Sequence, residues 1–276
     1  MDRSDSCAEL LAAHFGEGRH LVVGLDTDPQ RIPESVAPGA EPAERVVEFN
    51  RRIVEATAEV ACAYKPNAAF YEALGPDGVG ALGETVEAIR ELAPDAAAIL
   101  DAKRADIGST NAGYAAAAFD RLGADAVTVH PYLGGEALAP FLERRDKLVF
   151  VLARTSNPGA GEFQDLIADG LPLYRHVARA VAGWNEAGNC GLVVGATYPE
   201  EMRAVREDVP AEMPILIPGA GAQGGDVAAV VAANREAGSD AFLIAASRSI
   251  LYASGGEDFA EAARAAGQAL DAEIRA

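Results

Sequence analysis

Strand-length apolar runs alternate with longer amphipathic stretches along the whole chain, and this alternation is the feature that most constrains its fold. Strands that alternate with helices form a parallel sheet, because each helix has to carry the chain back to the start of the next strand. Eight apolar runs have the length of strands. They are residues 21–25, 61–65, 96–100, 125–129, 147–151, 190–194, 214–218 and 241–245.

Each of these runs is followed by an amphipathic stretch that predicts a helix. The eight stretches are residues 42–59, 78–92, 109–122, 135–144, 171–187, 198–208, 224–237 and 257–274. Another stretch, 5–16, comes before the first strand, and we expect it to be an extra helix that closes the bottom of the fold. Eight strand–helix units predict a closed (β/α)8 TIM barrel, which typically takes ~250 residues. An open doubly wound sheet is the structural alternative.

Composition limits the classes of function and partner. We expect no nucleic-acid partner, because the formal charge is −19 and no basic stripe is present. We expect no membrane partner, because no apolar run approaches the ~20 residues of a membrane span. The N-terminal sequence has no apolar signal region and the three cysteines form no CxxC pair, so we expect a cytoplasmic protein without disulfides or zinc. No linker divides the sequence, and residues 1–276 are therefore predicted to form a single domain.

Polar residues follow the predicted strands at one end, where barrel enzymes place their chemistry. The motif DAKRAD brings Asp101, Lys103 and Asp106 to the end of the third strand, and Lys65 ends the second. Residues 101 and 103 share a face if the strand continues. The alternating charges would keep the lysines protonated and the aspartates ionised, which suits a reaction in which an anionic group leaves and a carbanion takes up a proton. A surface ion-pair network is the structural alternative, although Lys65 and Lys103 are two of only three lysines in the chain.

Two loops at the end of the barrel predict a phosphate site. The loops after the seventh and eighth strands commonly bind phosphate in this fold. Here the first is the glycine-rich segment 218–225, whose backbone N–H groups can approach an anion, and the second contains Arg248, whose guanidinium can bind phosphate with two parallel hydrogen bonds. A tight barrel turn that needs glycine is the alternative for the first loop.

The loop RTSNPGAGEF, residues 154–163, follows the fifth strand and is rich in turn-forming residues. Ser156 in this loop could form a hydrogen bond with a planar ring, although a simple turn is the alternative. His130 ends the fourth strand before Pro131, and we interpret it as part of the pocket wall and not as a base.

These motifs together resemble the orotidine 5′-phosphate decarboxylase family, in its longer bacterial and haloarchaeal type. The resemblance extends from about residue 20 to residue 255. It is carried by seven segments that occur in the family's order: LVVGLDTDP, YKPNAAFYEALG, LDAKRADIGSTN, VTVHPYLGGEAL, RTSNPG, IPGAGAQGGD and SRSILYA.

The resemblance implies catalytic roles for the charged residues. Lys65 would bridge the ribose and the catalytic aspartates, Asp101 would lie against the substrate carboxylate, and Lys103 would donate the proton to carbon 6 of the pyrimidine. Asp106 and Thr110 would be contributed to the active site of a neighbouring subunit. The family works as a homodimer with shared sites, and it uses no metal and no cofactor.

The resemblance also implies the residues that bind the nucleotide. They are a ribose ligand, Asp26; a contact with the pyrimidine amide edge, Ser156; a pocket wall beside the carboxylate, Pro218; and the 5′-phosphate ligands Gln223 and Arg248. Short forms of the family have glycine directly before the phosphate-binding arginine, whereas this chain has Ser247. The backbone N–H of Ser247 would still be available to the phosphate.

Three other functions remain possible at this point. A metal-dependent sugar-phosphate decarboxylase or aldolase of the same superfamily carries DxKxxD, but such relatives bind magnesium and typically have glutamate where this chain has Lys65. A Schiff-base aldolase would use Lys65 or Lys103, although the neighbouring carboxylates favour the charged amine and attack needs the neutral one. A non-catalytic nucleotide-binding barrel would bind uridine monophosphate without turnover.

Overall fold

The computed structural model describes residues 6–219 and 226–276, and these contain a closed barrel of eight parallel strands. The barrel strands are β1 (Leu21–Gly24), β2 (Ala61–Lys65), β3 (Ala97–Arg104), β4 (Ala126–Val129), β5 (Leu148–Arg154), β8 (Cys190–Val194), β9 (Ile215–Pro218) and β10 (Phe242–Ala246). A small antiparallel hairpin, β6 (Ile167–Ala168) and β7 (Leu171–Pro172), lies outside the barrel. The predicted (β/α)8 barrel is confirmed, and the open sheet is excluded because β1 pairs with β10.

The helices surround the barrel, and most of them fall where the sequence predicts them. They are α1 (Cys7–Gly16), α2 (Pro42–Thr57), α3 (Ala68–Glu72), α4 (Gly75–Leu92), α5 (Gly108–Ala115), α6 (Gly134–Leu142), α7 (Gly161–Gln164), α8 (Leu173–Trp184), α9 (Pro199–Asp208), α10 (Val227–Glu236), α11 (Arg248–Leu251) and α12 (Phe259–Arg275). The short helices α3, α7 and α11 were not predicted. The stretch predicted as one helix over 109–122 is α5 followed by a π-helical turn over Ala116–Arg121.

The strands are apolar on both faces because both faces are buried. Alternate residues such as Val22, Phe150 and Leu243 fill the barrel interior, while their neighbours pack against the surrounding helices. The N-terminal helix α1 contributes Leu11 to the interior cluster, and Leu11 is fully buried there. This agrees with the expectation that an extra helix closes the bottom, and the opposite end is left for polar residues.

The helix α1 begins at a well-formed cap. Ser6 Oγ accepts a hydrogen bond from the backbone N–H of Glu9, and the Glu9 carboxylate accepts one from the backbone N–H of Ser6. Such a reciprocal cap satisfies donors that the first helical turn leaves free. No helix in the described residues combines the length and apolar character needed to cross a bilayer.

Candidate active site

Three charged side chains converge at the carboxyl ends of β2 and β3. Lys65 Nζ donates to Asp101 Oδ2 at 2.9 Å, and Lys103 Nζ donates to Asp101 Oδ1 at 2.6 Å. Thr128, on the neighbouring strand β4, also donates its hydroxyl to Asp101 Oδ1 at 2.8 Å. One carboxylate is therefore held by two ammonium groups and a hydroxyl. The structure brings together Lys65, Asp101 and Lys103 as the sequence predicts.

Pairing between β2 and β3 places Lys65 and Asp101 next to each other. The pairing continues beyond the regular register to a bridge between Asn67 and Asp101, and the Asp101 N–H donates to the carbonyl of Pro66 at 3.0 Å. The side chains of Lys65 and Asp101 are buried, with residue exposures of 4% and 8%. Burial disfavours ions unless they are paired, so this contact needs both charges.

The electrostatics of the pair favour the ionised forms. Burial by itself would raise the pKa of Asp101, but the ammonium groups of Lys65 and Lys103 hold that pKa well below its usual range. Burial by itself would lower the pKa of Lys65, but the carboxylates of Asp101 and Asp26 outweigh it and the pKa of Lys65 is raised. Asp101 is therefore a fixed negative charge at neutral pH, and Lys65 is a fixed positive one.

Lys103 reaches Asp101 through a distorted strand. Its φ is +46°, a left-handed conformation that is costly for a residue other than glycine, by about 1–3 kcal/mol. The register between β3 and β4 shifts between Leu100 and Arg104, and the Lys103 N–H donates to Thr128 Oγ1 at 3.0 Å. Thr128 thus holds both the backbone and the carboxylate partner of Lys103. The side chain of Lys103 stays 48% exposed, so its ammonium can exchange protons with solvent.

A cavity of about 760 Å³ opens beside these three charges. Its apolar surface comes from the strand residues Leu152, Val193 and Leu216, and its remaining walls come from loops at the same end of the barrel. The cavity is lined by Lys65, Asp101, Lys103, Thr128, Leu152, Thr155, Ser156, Asn157, Pro158, Gln164, Val193, Leu216 and Pro218. The predicted contacts Ser156 and Pro218 are among them.

Asp106 and Thr110 lie apart from this array within the chain. Asp106 Oδ1 accepts a hydrogen bond from the backbone N–H of Ile107, and the Asp106 N–H donates to Asn111 Oδ1 at 2.9 Å. Thr110 is exposed on α5. Neither residue lines the cavity, so one chain assembles three of the four predicted charges.

Asp26 is bonded to the loop that follows β10. Ser247 Oγ donates to Asp26 Oδ2 at 2.8 Å, whereas Asp26 Oδ1 is buried and has no hydrogen-bond partner among the described residues. Gly24 makes this approach possible, because a Cβ at that position would lie 1.9 Å from Ser247 Oγ. Asp26 also acts electrostatically on Lys65, as its effect on the Lys65 pKa shows.

The predicted phosphate site is described only in part. Arg248 is exposed and is the first residue of α11, directly after Ser247. Gln223 lies outside the described residues, as does the rest of the segment 220–225. Among the phosphate candidates, the structure therefore places Ser247 and Arg248 at the barrel end that carries the array, since both follow β10.

The sequence-based prediction missed two residues that line the cavity and placed another one incorrectly. Thr128 received no role, although it is the one polar residue within the apolar strand β4, and that was the available signal. Gln164 lines the cavity without any sequence signal, because the path of its loop depends on tertiary contacts. His130 was expected in the pocket wall but does not line the cavity; its Nδ1 accepts instead from the Tyr132 N–H.

No three His, Cys, Asp or Glu side chains in residues 6–219 and 226–276 are grouped as a metal site. Each oxygen of Asp101 accepts a hydrogen bond from an ammonium group, Oδ2 from Lys65 and Oδ1 from Lys103. The arrangement is suited to stabilising a substrate anion through hydrogen-bond donors and to delivering a proton. Fold and site together define a TIM-barrel enzyme with its charged residues on the strand ends.

Comparison with known proteins identifies the family. The model of the Orotidine 5′-phosphate decarboxylase / HUMPS family matches residues 19–266. An orotidine 5′-phosphate decarboxylase from Herpetosiphon aurantiacus is 53% identical over 252 residues, which cover 91% of this chain and 90% of that protein. This chain belongs to the Orotidine 5′-phosphate decarboxylase / HUMPS family.

Solved structures agree with this assignment. The OMP decarboxylase of Leishmania donovani superposes with a TM-score of 0.82 at 38% identity, and the match covers 98% of each chain. The UMP synthase of the same organism superposes with a TM-score of 0.85 at 40% identity. That match covers 98% of this chain but 56% of the synthase, so this chain spans about half of the synthase.

Proposed function

We propose that this chain catalyses the decarboxylation of orotidine 5′-phosphate to uridine 5′-phosphate, a step of pyrimidine biosynthesis. The observation that carries the proposal is the buried Asp101 carboxylate, which is held ionised between Lys65 and Lys103 at the edge of the cavity. Family membership supports the same reaction, since the relatives named above are orotidine 5′-phosphate decarboxylases.

The chemical step uses the charges in a fixed order. The substrate carboxylate lies beside Asp101, and the bond between that carboxylate and carbon 6 breaks. Carbon dioxide leaves and the electron pair stays on carbon 6. The Lys103 ammonium stabilises the resulting carbanion and then transfers a proton to it, after which the amine regains a proton from solvent. Lys65 keeps its charge and holds Asp101 in place.

Binding of the rest of the nucleotide is assigned to the surrounding loops. Asp26 would accept a ribose hydroxyl through its free Oδ1, and Ser156 would contact the amide edge of the pyrimidine beside the wall formed by Pro218. Gln223, Arg248 and the N–H of Ser247 would bind the 5′-phosphate. Binding energy from this remote phosphate would then lower the activation free energy of the decarboxylation step.

We also infer a homodimer with shared sites, to which Asp106 and Thr110 contribute across the interface. Neither residue lines the cavity of its own chain, and exposed apolar side chains follow the same strand, β3, and its neighbour β4. A surface with such residues supports association with another protein chain. The residues, which follow β3 and β4, are Ile107, Tyr114, Tyr132 and Leu133, of which Tyr132 is 91% exposed.

The remaining parts of the proposal concern the setting of the reaction. We place the enzyme in the cytoplasm, which three buried cysteines that form no disulfide support, and we propose that residues 1–276 form one domain. The small-molecule nucleotide is the proposed substrate, with neither nucleic acid nor membrane as a partner. No metal or cofactor is required by the proposed chemistry.

One assay tests the proposal against the metal-dependent alternative. The ultraviolet absorbance of orotidine 5′-phosphate is followed with purified protein, with and without EDTA. We expect turnover that EDTA does not change, because Lys65 would repel a divalent cation from the site. Loss of activity with EDTA and recovery with magnesium would favour a metal-dependent enzyme. Tight binding of uridine 5′-phosphate without turnover would indicate a non-catalytic barrel.

A further inference from the structure

Arg154 is a buried cation at the end of β5, directly before the cavity residues Thr155 and Ser156. Its side chain is only 4% exposed. A charge buried to this extent requires partners that replace water. Arg154 does not itself line the cavity, whereas the two residues that follow it do.

The partners of Arg154 lie at the far end of the loop that begins with Thr155. Arg154 Nη2 donates to Asp165 Oδ2 at 3.1 Å, and Arg154 Nε lies 2.9 Å from Asp165 Oδ1. Both Asp165 oxygens thus face one guanidinium, which binds them through one hydrogen bond from Nη2 and through an ion-pair contact at Nε that lacks hydrogen-bond geometry. Arg154 Nη1 donates in addition to the carbonyl of Thr155 at 2.8 Å. The two ends of the loop are therefore joined through one side chain.

Gln164 closes the same loop from inside. The Thr155 N–H donates to Gln164 Oε1 at 2.8 Å, and Gln164 Nε2 donates to Thr155 Oγ1 at 2.9 Å. Arg154 Nη1 also approaches Gln164 Oε1, at 3.4 Å. The guanidinium and the amide thus close a loop of eleven residues, 155–165, at its base.

The other face of Arg154 is covered by the segment that follows β8. The guanidinium carbon lies 4.0 Å from the ring centroid of Tyr198, a cation–π contact. The Gly195 N–H donates to the carbonyl of Arg154 at 2.8 Å. A Cβ at Gly195 would lie 2.7 Å from Ser156 Cβ, so β8 packs directly against Ser156. Arg154 therefore connects the loop carrying Ser156 to the next barrel strand.

The clamped loop supplies a large part of the cavity wall, namely Thr155, Ser156, Asn157, Pro158 and Gln164. A loop that is ordered before the ligand arrives does not lose that conformational entropy on binding. From these contacts we infer that Arg154 is a positioning residue for recognition of the base: it holds Ser156 and its neighbours in the geometry that contacts the pyrimidine. This inference rests on the proposed function, because it takes a pyrimidine nucleotide as the ligand.

The test separates the base from the rest of the ligand. Binding of uridine 5′-phosphate and of ribose 5-phosphate, which lacks the base, is measured by calorimetry for the wild type, Arg154→Lys and Arg154→Met. We expect the affinity for uridine 5′-phosphate to fall at least about tenfold in both variants, while that for ribose 5-phosphate changes less than about twofold. Lysine keeps the charge but lacks the planar fork, so Arg154→Lys should not restore binding.

Arg175→Met is the matched control. Arg175 also pairs with a carboxylate, since its Nε lies 2.6 Å from Asp208 Oδ2, but it belongs to α8 and does not line the cavity. This variant should bind both ligands like the wild type. If the Arg154 variants do not fold, Asp165→Asn carries the test, because Asp165 is 47% exposed and its replacement keeps the shape of the side chain. Asp165→Asn should also weaken the binding of uridine 5′-phosphate more than that of ribose 5-phosphate, and it should raise the KM for the nucleotide substrate.

Two outcomes overturn the inference. Equal loss of affinity for both ligands would mean that Arg154 acts on the fold in general, and unchanged affinity for uridine 5′-phosphate in folded variants would mean that the clamp does not serve the base. Failure of the proposed function looks different: the wild type itself would then show no preference for uridine 5′-phosphate over ribose 5-phosphate.

Discussion

Ser247 Oγ donates to Asp26 Oδ2 at 2.8 Å, and this bond joins the ends of β10 and β1 where the barrel closes. It connects the proposed ribose ligand to the residue that precedes the proposed phosphate ligand, Arg248. The contact depends on the absence of a side chain at Gly24, because a Cβ there would lie 1.9 Å from Ser247 Oγ. The ribose and phosphate parts of the site are therefore linked through one hydroxyl.

The Gly24→Ala variant should lose this bond. The new methyl group forces Ser247 Oγ away from Asp26, and we expect a loss of about 1–3 kcal/mol in the free energy of unfolding, together with a higher KM. Denaturant unfolding and steady-state kinetics measure the two effects. Adding Ser247→Gly should recover much of the stability, since it removes the clash.

Gly80→Ala is the control: nothing lies within 4 Å of a Cβ on this exposed residue of α4, so stability should rise by about 0.5–1 kcal/mol. A fully stable Gly24→Ala protein would contradict the argument.

Lys103→Ala should abolish nearly all decarboxylation, by at least about 10³-fold in kcat, because the ammonium that stabilises and protonates the carbanion is gone. The fold and phosphate binding should remain, since the Lys103 side chain is half exposed. Turnover of orotidine 5′-phosphate and binding of ribose 5-phosphate measure the two. Lys147→Ala is the control: Lys147 is the third lysine of the chain and does not line the cavity, so this variant should leave kcat unchanged. A near wild-type rate in Lys103→Ala would remove Lys103 from the mechanism.

Lys65→Met should lower the free energy of unfolding near pH 7 by about 3–5 kcal/mol, because the buried Asp101 charge loses one of its two ammonium partners. The pKa of Asp101 is lower in the folded chain, so its stabilising contribution is present above about pH 4 and is lost as the pH falls through the folded value. The pKa of Lys65 is higher in the folded chain, so its contribution is present below about pH 10 and is lost as the pH rises through the folded value.

The difference in the free energy of unfolding between wild type and Lys65→Met should therefore be largest between about pH 4 and about pH 10, and it should become smaller outside this range. Denaturant unfolding over a series of pH values measures it. Lys147→Met serves as the control, since Lys147 forms a surface ion pair with the exposed Asp146, and its stability curve should follow the wild type. A difference that stays constant with pH would mean that Lys65 stabilises by packing and not by charge.

Mixed dimers test the sharing of sites. Separate Asp101→Asn and Asp106→Ala proteins should be nearly inactive, but after subunit exchange about half of the dimers are hybrids and one of the two sites in each hybrid is intact. We therefore expect about one quarter of wild-type activity in an equal mixture. Asp101→Asn mixed with Lys103→Ala should stay inactive, because each change disables the site of its own chain and a hybrid then has no intact site. An inactive Asp101–Asp106 mixture that contains verified hybrids would refute the sharing.

Much of the barrel and the central charges could be predicted from the sequence. The strands β2 and β8 have the predicted bounds, and the others differ by at most a few residues. Neighbouring strand ends in a parallel barrel lie at one edge, so Lys65 and Asp101 had to be close once the strands were recognised. The bulge that gives Lys103 a φ of +46° and the Thr128 hydroxyl that supports it were not predictable, because they arise from the register between β3 and β4.

The sequence by itself determined the order of strands and helices and the polar residues that end or follow the strands, because hydrophobic periodicity and chain order fix these locally. Only the tertiary structure decided that Arg154 reaches Asp165 and Tyr198, that Ser247 holds Asp26, and that Asp106 does not line the cavity beside the array. These relationships depend on the paths of loops between strands. Loop paths are set by long-range hydrogen bonds and packing, and a linear pattern of residue types does not contain those contacts.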